Sequence, residues 1–201
     1  MQTLLDFLWI IPIGFFYILP AYFANGGAVL MGKYIKGRPI DLGKNFFDDQ
    51  RILGDGKTWQ GLLGGTLIGT FGGFVMWLIV LGAVAAAKFE YNFGFADPIC
   101  HPILYDMTIL RGFLLAFGAL MGDMIGSFIK RRFKRERGAK FPILDQLDFI
   151  LGAVLFSLIE FWVINFLIVW PILLFVIIVT PVLHVVANRS AFKLGLKNEP
   201  W

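Results

Sequence analysis

The stretch Gly122-Asp-Met-Ile-Gly-Ser127 ends one apolar segment, and Pro142-Ile-Leu-Asp145-Gln-Leu-Asp148 opens the next, with the basic run Lys130-Arg131-Arg132 between them. Three carboxylates, those of Asp123, Asp145 and Asp148, therefore lie where apolar segments end or begin. An ionised Asp at the centre of a membrane helix costs about 2.5–3.5 kcal/mol, and it costs less near the interface. The position of these three carboxylates predicts a cationic partner for them.

The composition of the chain is that of a membrane protein. Of its 201 residues 58% are hydrophobic and 16% are charged, with 22 Phe and a mean hydropathy of +0.74. A water-soluble domain does not need so much apolar surface. The single cysteine, Cys100, excludes a disulfide within the chain, so the fold must be held by helix packing.

The spacing of charges predicts an all-α bundle of five transmembrane helices in a single domain. About 20 apolar residues cross the hydrocarbon core, and residues 143–187 are too long for one span but suit two. The apolar run between Arg111 and Asp123 is too short to cross, so the long Arg111 side chain is expected to snorkel. The predicted spans are 4–31, 60–87, 103–127, 143–165 and 168–187.

The basic residues predict the orientation of the bundle. Sixteen of the 18 Lys and Arg residues lie in residues 32–59, in residues 128–142 or after residue 187. Cytoplasmic loops carry the excess of Lys and Arg. Both loops and the C-terminus are therefore expected in the cytoplasm, and the N-terminus outside, which requires an odd number of spans.

Two helices carry glycine at every fourth position. Gly61, Gly65, Gly69 and Gly73 form one stripe, and Gly118, Gly122 and Gly126 form the other. Such stripes let helix backbones approach closely. If the two stripes pack together, Lys57 and its neighbours come next to Asp123. The alternative is that each stripe packs against some other helix.

The acidic residues at these helix ends suit a magnesium site. Asp123, Ser127 and either Lys130 or Arg131 share one helical face, and Asp145 and Asp148 are spaced i, i+3. Oxygen ligands from one or two carboxylates, completed by substrate phosphates, are what Mg²⁺ prefers. The alternative for Asp145 and Asp148 is helix capping. Asp123 weakens that alternative, because a carboxylate at a helix C-terminus opposes the dipole.

A second polar stretch, Gly54-Asp55-Gly56-Lys57-Thr58-Trp59, invites comparison with a phosphate-binding loop. It does not match the Walker motif, because Arg51 stands where that motif has Gly. Glycines before a helix N-terminus still expose amides to an anion, and Lys57 adds charge. The alternative is an ordinary loop with an interfacial Trp. Of the basic residues after Asp123, Lys130 and Arg132 are the better candidates for a site.

These motifs resemble those of the CDP-archaeol synthases, archaeal relatives of the CTP:phosphatidate cytidylyltransferases. The resemblance covers nearly the whole chain and includes the loop from Asn45 to Trp59, the Gly122-Asp123 element and the Asp145-x-x-Asp148 pair. The bacterial and eukaryotic relatives have Asp-Arg-x-Asp at the last element, whereas this chain has Gln146. A basic residue of the 130–140 segment is expected to replace that arginine.

The resemblance implies a Mg²⁺-dependent enzyme of the cell membrane, with CTP and an isoprenoid ether lipid phosphate from the bilayer as partners and no nucleic acid. CTP and the lipid phosphate would give the CDP-activated lipid and pyrophosphate at the cytoplasmic side. The implied catalytic and metal-binding residues are Asp123, Asp145 and Asp148. The implied nucleotide-binding residues are Asn45, Asp55, Lys57, Thr58, Trp59, Ser127, Lys130 and Arg132.

Two other hypotheses remain open at this level. A CDP-alcohol phosphotransferase also places aspartates at inner helix ends, but its Asp-Gly-x-x-Ala-Arg element is absent. A small ion or solute transporter would need ionisable groups near mid-membrane, whereas these acids lie at the rim. The sequence leaves the oligomeric state undetermined.

Overall fold

The structure is a computed structural model, which describes residues 4–89, 107–136, 139, 141, 143–159 and 166–196. These residues form helices joined by loops, and in them the β-structure is limited to two isolated bridges, Pro39 with Thr58 and Asn45 with Arg51. The predicted all-α class is confirmed. The helices are α1 Leu4–Tyr34, α2 Trp59–Phe89, α3 Ile109–Arg132, α4 Leu144–Ser157 and α5 Phe166–Lys193.

Four helices are long and apolar enough to cross a membrane. The qualifying segments are Ile11–Tyr34, Trp59–Gly82, Ile109–Arg132 and Leu173–Lys193. Helix α4 has 14 residues, or about 21 Å at 1.5 Å per residue, which is less than the roughly 30 Å of hydrocarbon. The predicted span 143–165 runs on into residues 160–165, outside the described residues, so a fifth span stays a prediction.

Two predicted helix bounds are corrected. The third helix begins at Ile109 instead of near residue 103, because Thr108 is its N-cap: the Thr108 Oγ1 accepts a hydrogen bond from the Arg111 amide at 3.0 Å. The last helix extends to Lys193 instead of ending near residue 187. Charged and polar residues can extend a helix beyond the apolar run, so hydropathy alone underestimates its length.

Helix α1 lies at the centre of the core. Its Tyr17 and Ile18 are almost fully buried, together with Leu115 of α3 and Phe149 of α4. The Tyr17 hydroxyl donates to the Ser157 Oγ at 2.7 Å, which satisfies a polar group inside the bundle. This core places the N-terminal ends of α2 and α4 beside the C-terminal end of α3.

Of the two arrangements that the sequence left open for the glycine stripes, the structure shows the second, in which each stripe packs against other neighbours. Helix α2 packs against the face of α3 that carries Gly112, Ala116 and Leu120, and its Gly73 meets the Gly112 backbone. The stripe of Gly118, Gly122 and Gly126 lies about half a turn away on α3. It packs against Asp148, Gly152 and Phe156 of α4. Small residues on two opposite faces allow α3 to approach two neighbours closely.

Candidate functional site

An ion pair joins the first polar loop to the end of α3. The Lys57 Nζ lies 2.5 Å from the Asp123 Oδ2, and the two side chains are only 23% and 26% exposed. Lys57 comes from the loop just before α2, and Asp123 lies in the last three turns of α3. The loop therefore reaches Asp123, although the packing of the two glycine stripes from which this contact was expected does not occur.

A second ion pair joins the end of α3 to the start of α4. The Lys130 Nζ lies 2.6 Å from the Asp145 Oδ1, and the Asp145 Oδ2 accepts a hydrogen bond from the Phe141 amide at 2.8 Å. The N-cap position of α4 is Ile143, whose side chain makes no capping bond. Neither contact of Asp145 is to an amide of α4, so the helix-capping alternative does not account for them.

Asp148 is buried between α3 and α4. Its carboxylate lies directly against Gly126, where any side chain would collide with it. The Asp148 Oδ1 accepts a hydrogen bond from the Phe149 amide at 2.7 Å. The carboxylate also interacts electrostatically with Asp123, Lys57 and Lys130. Three acidic and two basic side chains from three elements thus meet at the same end of the bundle.

The predicted metal set does not form a three-ligand cluster. In the described ranges, no three His, Cys, Asp or Glu side chains are grouped closely enough to hold a metal ion. Asp123 and Asp145 each contact a lysine instead. Asp123 and Asp148 remain a pair of neighbouring carboxylates, which is enough for Mg²⁺ when phosphate oxygens complete its shell. The metal assignment stays a prediction.

The loop that carries Lys57 is built around Asp41, a residue outside the predicted site set. Its carboxylate accepts hydrogen bonds from Arg51 and from the amides of Gly43, Leu53 and Gly54. Burial alone would raise the pKa of Asp41, but these donors outweigh it and hold that pKa below its usual range. Its one local signal is the Asp-x-Gly spacing, which favours a turn closed by the carboxylate.

Arg132 ties this loop to α3. Its guanidinium lies between the rings of Phe46 and Phe128, 4.7 and 4.8 Å from their centroids. It donates to the carbonyl oxygen of Arg51 at 2.7 Å and pairs with Asp48 at 2.9 Å. These contacts give Arg132 a loop-holding role, and its predicted contact with nucleotide stays untested.

The other predicted nucleotide-binding residues are spread over the loop and the helix ends. The Thr58 Oγ1 accepts a hydrogen bond from the Gly61 amide at 3.1 Å and so caps α2. Asp55 pairs with Arg51 at 2.8 Å and is 64% exposed. Asn45 and Trp59 are exposed, and Ser127 is buried.

Comparison with known proteins gives one consistent result. A family model described as CarS-like CDP-archaeol synthase matches residues 7–201. A CDP-archaeol synthase of Thermococcus gammatolerans is 41% identical over 192 residues, 92% of this chain and 93% of the relative. One of Archaeoglobus fulgidus is 43% identical over 190 residues, 92% and 94% of the two chains.

A solved structure also matches. It is described as an intramembrane enzyme for archaeal membrane lipids biosynthesis, with a TM-score of 0.61 and 35% sequence identity. The match covers 87% of this chain and 91% of that chain.

Proposed function

This chain belongs to the CDP-archaeol synthase family, and from that membership we propose how its own residues carry out the synthesis. The chain transfers the cytidylyl group of CTP to an isoprenoid diether glycerol phosphate, unsaturated archaetidic acid. A phosphate oxygen of the lipid bonds to the α-phosphorus of CTP. The bond from that phosphorus to the β-phosphate oxygen breaks, and pyrophosphate leaves.

The observation that supports this proposal is the presence of two lysine–carboxylate ion pairs near Asp148. Lys57 pairs with Asp123, and Lys130 pairs with Asp145. Both lysines also interact electrostatically with Asp148. A triphosphate is highly anionic, and nucleotidyl transfer depends mainly on positioning and charge neutralisation. In our proposal the two ammonium groups exchange their carboxylates for phosphate oxygens when CTP binds. The lipid phosphate is already ionised, so no side chain has to remove a proton from it.

We propose that Asp123 and Asp148 would hold a Mg²⁺ ion whose shell is completed by phosphate oxygens, while Asp145 keeps Lys130 at the site until CTP binds. When bound, Mg²⁺ stabilises charge on the attacking and leaving oxygens. The burial of Asp148 against Gly126 fixes one carboxylate in place, and the partial exposure of Asp123 leaves the other accessible to substrate.

The remaining predicted residues complete the nucleotide site in this proposal. Asn45, Asp55 and Trp59 are exposed on the loop and are available to shape a cytidine pocket. The N-terminal end of α2, next to the Thr58 cap, favours an anion through the helix dipole. Ser127 and Arg132 support the site from the end of α3.

A pyrophosphate-release assay tests the catalytic assignment. The purified protein receives CTP and Mg²⁺, with or without the isoprenoid ether lipid phosphate. Asp123→Asn and Asp148→Asn are expected to lose at least about 100-fold in rate, by analogy with the loss of metal-site groups. The matched control is Asp49→Asn, an exposed loop residue. CTP with Mg²⁺ should also raise the melting temperature of the parent protein and not that of Asp123→Asn. Full activity in both site variants would contradict the assignment.

We further propose five spans with the site at the cytoplasmic side of the membrane. The support is the positive-inside distribution of the basic residues. Cys100, the single cysteine, then lies outside. An impermeant maleimide added to intact cells should label Cys100. In the double variant Cys100→Ser, Lys134→Cys, the new thiol should be labelled only after lysis. The reverse pattern would contradict this orientation.

A further inference from the structure

One fully buried carboxylate lies away from the site and organises the loop that reaches it. The Asp41 side chain has no exposed surface. Arg51 donates to it through Nη2 at 2.7 Å and Nε at 3.2 Å, and the amides of Gly43, Leu53 and Gly54 donate at 3.1, 3.0 and 2.8 Å. A buried charge requires such a set of donors. Two segments of the loop are thereby tied to a single point.

The backbone of Lys57 is attached to that point on both sides. The Gly54 amide binds Asp41, and the Gly54 carbonyl accepts a hydrogen bond from the Lys57 amide at 3.2 Å. On the other side, the amide of Ile40, the residue before Asp41, donates to the Lys57 carbonyl at 2.8 Å. The Lys57 ammonium then lies 2.5 Å from Asp123. A continuous chain of hydrogen bonds therefore runs from Asp41 to the site.

The conformation of Gly54 belongs to the same arrangement. Its φ is +94°, in the region that glycine adopts most easily. This turn directs the Gly54 amide at Asp41, and the Leu53 carbonyl faces α3, where the Arg131 Nε donates to it at 3.4 Å. The loop is thus fixed by Asp41 from within and by α3 from outside.

We propose that Asp41 is a positioning residue for cytidylyl transfer, which holds Lys57 at Asp123 by fixing the backbone from Leu53 to Lys57. This inference rests on the proposed role of Lys57 in binding the triphosphate. Asp41 does not touch the substrate. Without its carboxylate, Lys57 lies on a loop with many conformations, and few of them place the ammonium at the site.

A double-mutant cycle tests this coupling. Asp41→Asn keeps the shape of the side chain but removes the charge, and it turns an NH₂ group towards donors. We expect a loss of about 10-fold or more in kcat/KM for CTP. In a Lys57→Met background the same change should cost less than about 2-fold, because the coupled residue is gone. Equal losses in the two backgrounds would overturn the proposal, since a purely structural role gives that result. Asp49→Asn, on the same loop, should cost nothing in either background.

Lysine acylation gives a readout independent of catalysis. The full chain in liposomes is treated with an N-hydroxysuccinimide ester, and modification of Lys57 is followed by peptide mass spectrometry. The rate at Lys57 should rise several-fold in Asp41→Asn and stay unchanged in Asp49→Asn; an unchanged rate in both would overturn the proposal. A raised rate with unaltered activity would support the positioning of Lys57 and contradict its proposed part in catalysis.

A milder variant covers the case in which Asp41→Asn does not fold. Arg51→Gln removes the guanidinium but leaves the three amides on Asp41. It should change acylation and kcat/KM in the same direction by a smaller factor, again with little effect in the Lys57→Met background. Full additivity with Lys57→Met would overturn the proposal.

Discussion

The loop of residues 35–58 and the seam between α3 and α4 both end at the site, but different forces hold them. The loop is built from hydrogen bonds to a buried carboxylate, Asp41. The seam is built from contact between backbones, with Gly118 and Gly122 against Gly152. The loop positions a cation, Lys57, whereas the seam positions the carboxylates of Asp123 and Asp148. A charge change should therefore disturb the loop, and an added methyl group should disturb the seam.

The largest effect is expected for Gly122→Ala in the seam. The new Cβ would collide with the backbone carbonyl of Asp148 and lie 3.0 Å from the Gly152 Cα. Because backbone cannot rotate away, the helices must separate, at about 1–3 kcal/mol. A shift of about 1 Å in catalytic groups can cost about 100-fold in rate. The melting temperature measures the loss of stability, and the rate of pyrophosphate release measures the loss of activity.

The matched control for the seam is Gly26→Ala in α1, where an added Cβ meets nothing within 4 Å. This variant should be neutral or more stable by up to about 1 kcal/mol. Wild-type activity in Gly122→Ala would show that the seam is looser than the structure describes.

A smaller effect, with a different signature, is expected for Gly126→Ala. Here the new Cβ meets the carboxylate of Asp148, which rotation can move, and the Asp148 Cβ, which moves only with its backbone. If Asp148 holds the metal as we propose, we expect a loss of roughly 10- to 100-fold in activity, the factor typical of groups that orient a metal ligand. The fall in melting temperature should be smaller than in Gly122→Ala. A large loss of stability with normal kcat in the folded fraction would contradict this interpretation.

On the loop, Arg132→Lys should have a moderate effect. Lysine keeps the charge but cannot reproduce the guanidinium between Phe46 and Phe128 or its bonds to the loop carbonyls. We expect a loss of about 1–2 kcal/mol in stability and a rise in KM for CTP with little change in kcat. An unchanged KM would show that the loop keeps its position without this clamp.

Asp55→Asn separates structure from nucleotide binding on the same loop. Its ion pair with Arg51 is 64% exposed on the Asp55 side, and exposed pairs contribute at most about 1 kcal/mol. The melting temperature should therefore barely change. If Asp55 shapes the nucleotide pocket, KM for CTP rises several-fold. An unchanged KM would remove Asp55 from the site.

The smallest effect on the stability of the loop is expected when the pH is lowered. The folded-state pKa of Asp41 lies below its usual range, so the stabilisation it provides is complete above the unfolded value of about 3.9. It is lost only as pH falls through the lower folded pKa. Hydrogen exchange should show the Leu53 and Gly54 amides still protected at pH 4. Loss of protection near pH 5 would contradict this.

Several features could be predicted from the sequence because they depend on local composition. Hydropathy placed a helix in each apolar run of the described residues. Two bounds differ where Thr108 caps α3 and where polar residues extend α5 to Lys193, and α4 ends at Ser157 inside the apolar run 143–165. The contact of the loop with Asp123 was expected only if the two glycine stripes packed together, and the structure reaches it through a different face of α3. Asp41 was missed because one acid among several in a polar loop looks like its neighbours until the chain has folded around it.

The sequence by itself determined the membrane character, the helical class and the family resemblance, because apolar runs and short motifs can be read without knowing which segments meet. Only the tertiary structure decided which faces of α3 contact α2 and α4, which lysine pairs with which carboxylate, and which acid of the loop is buried. These features depend on contacts between residues far apart in the chain. Two glycine stripes with the same spacing are equivalent in sequence, and only close packing against particular neighbours distinguishes them.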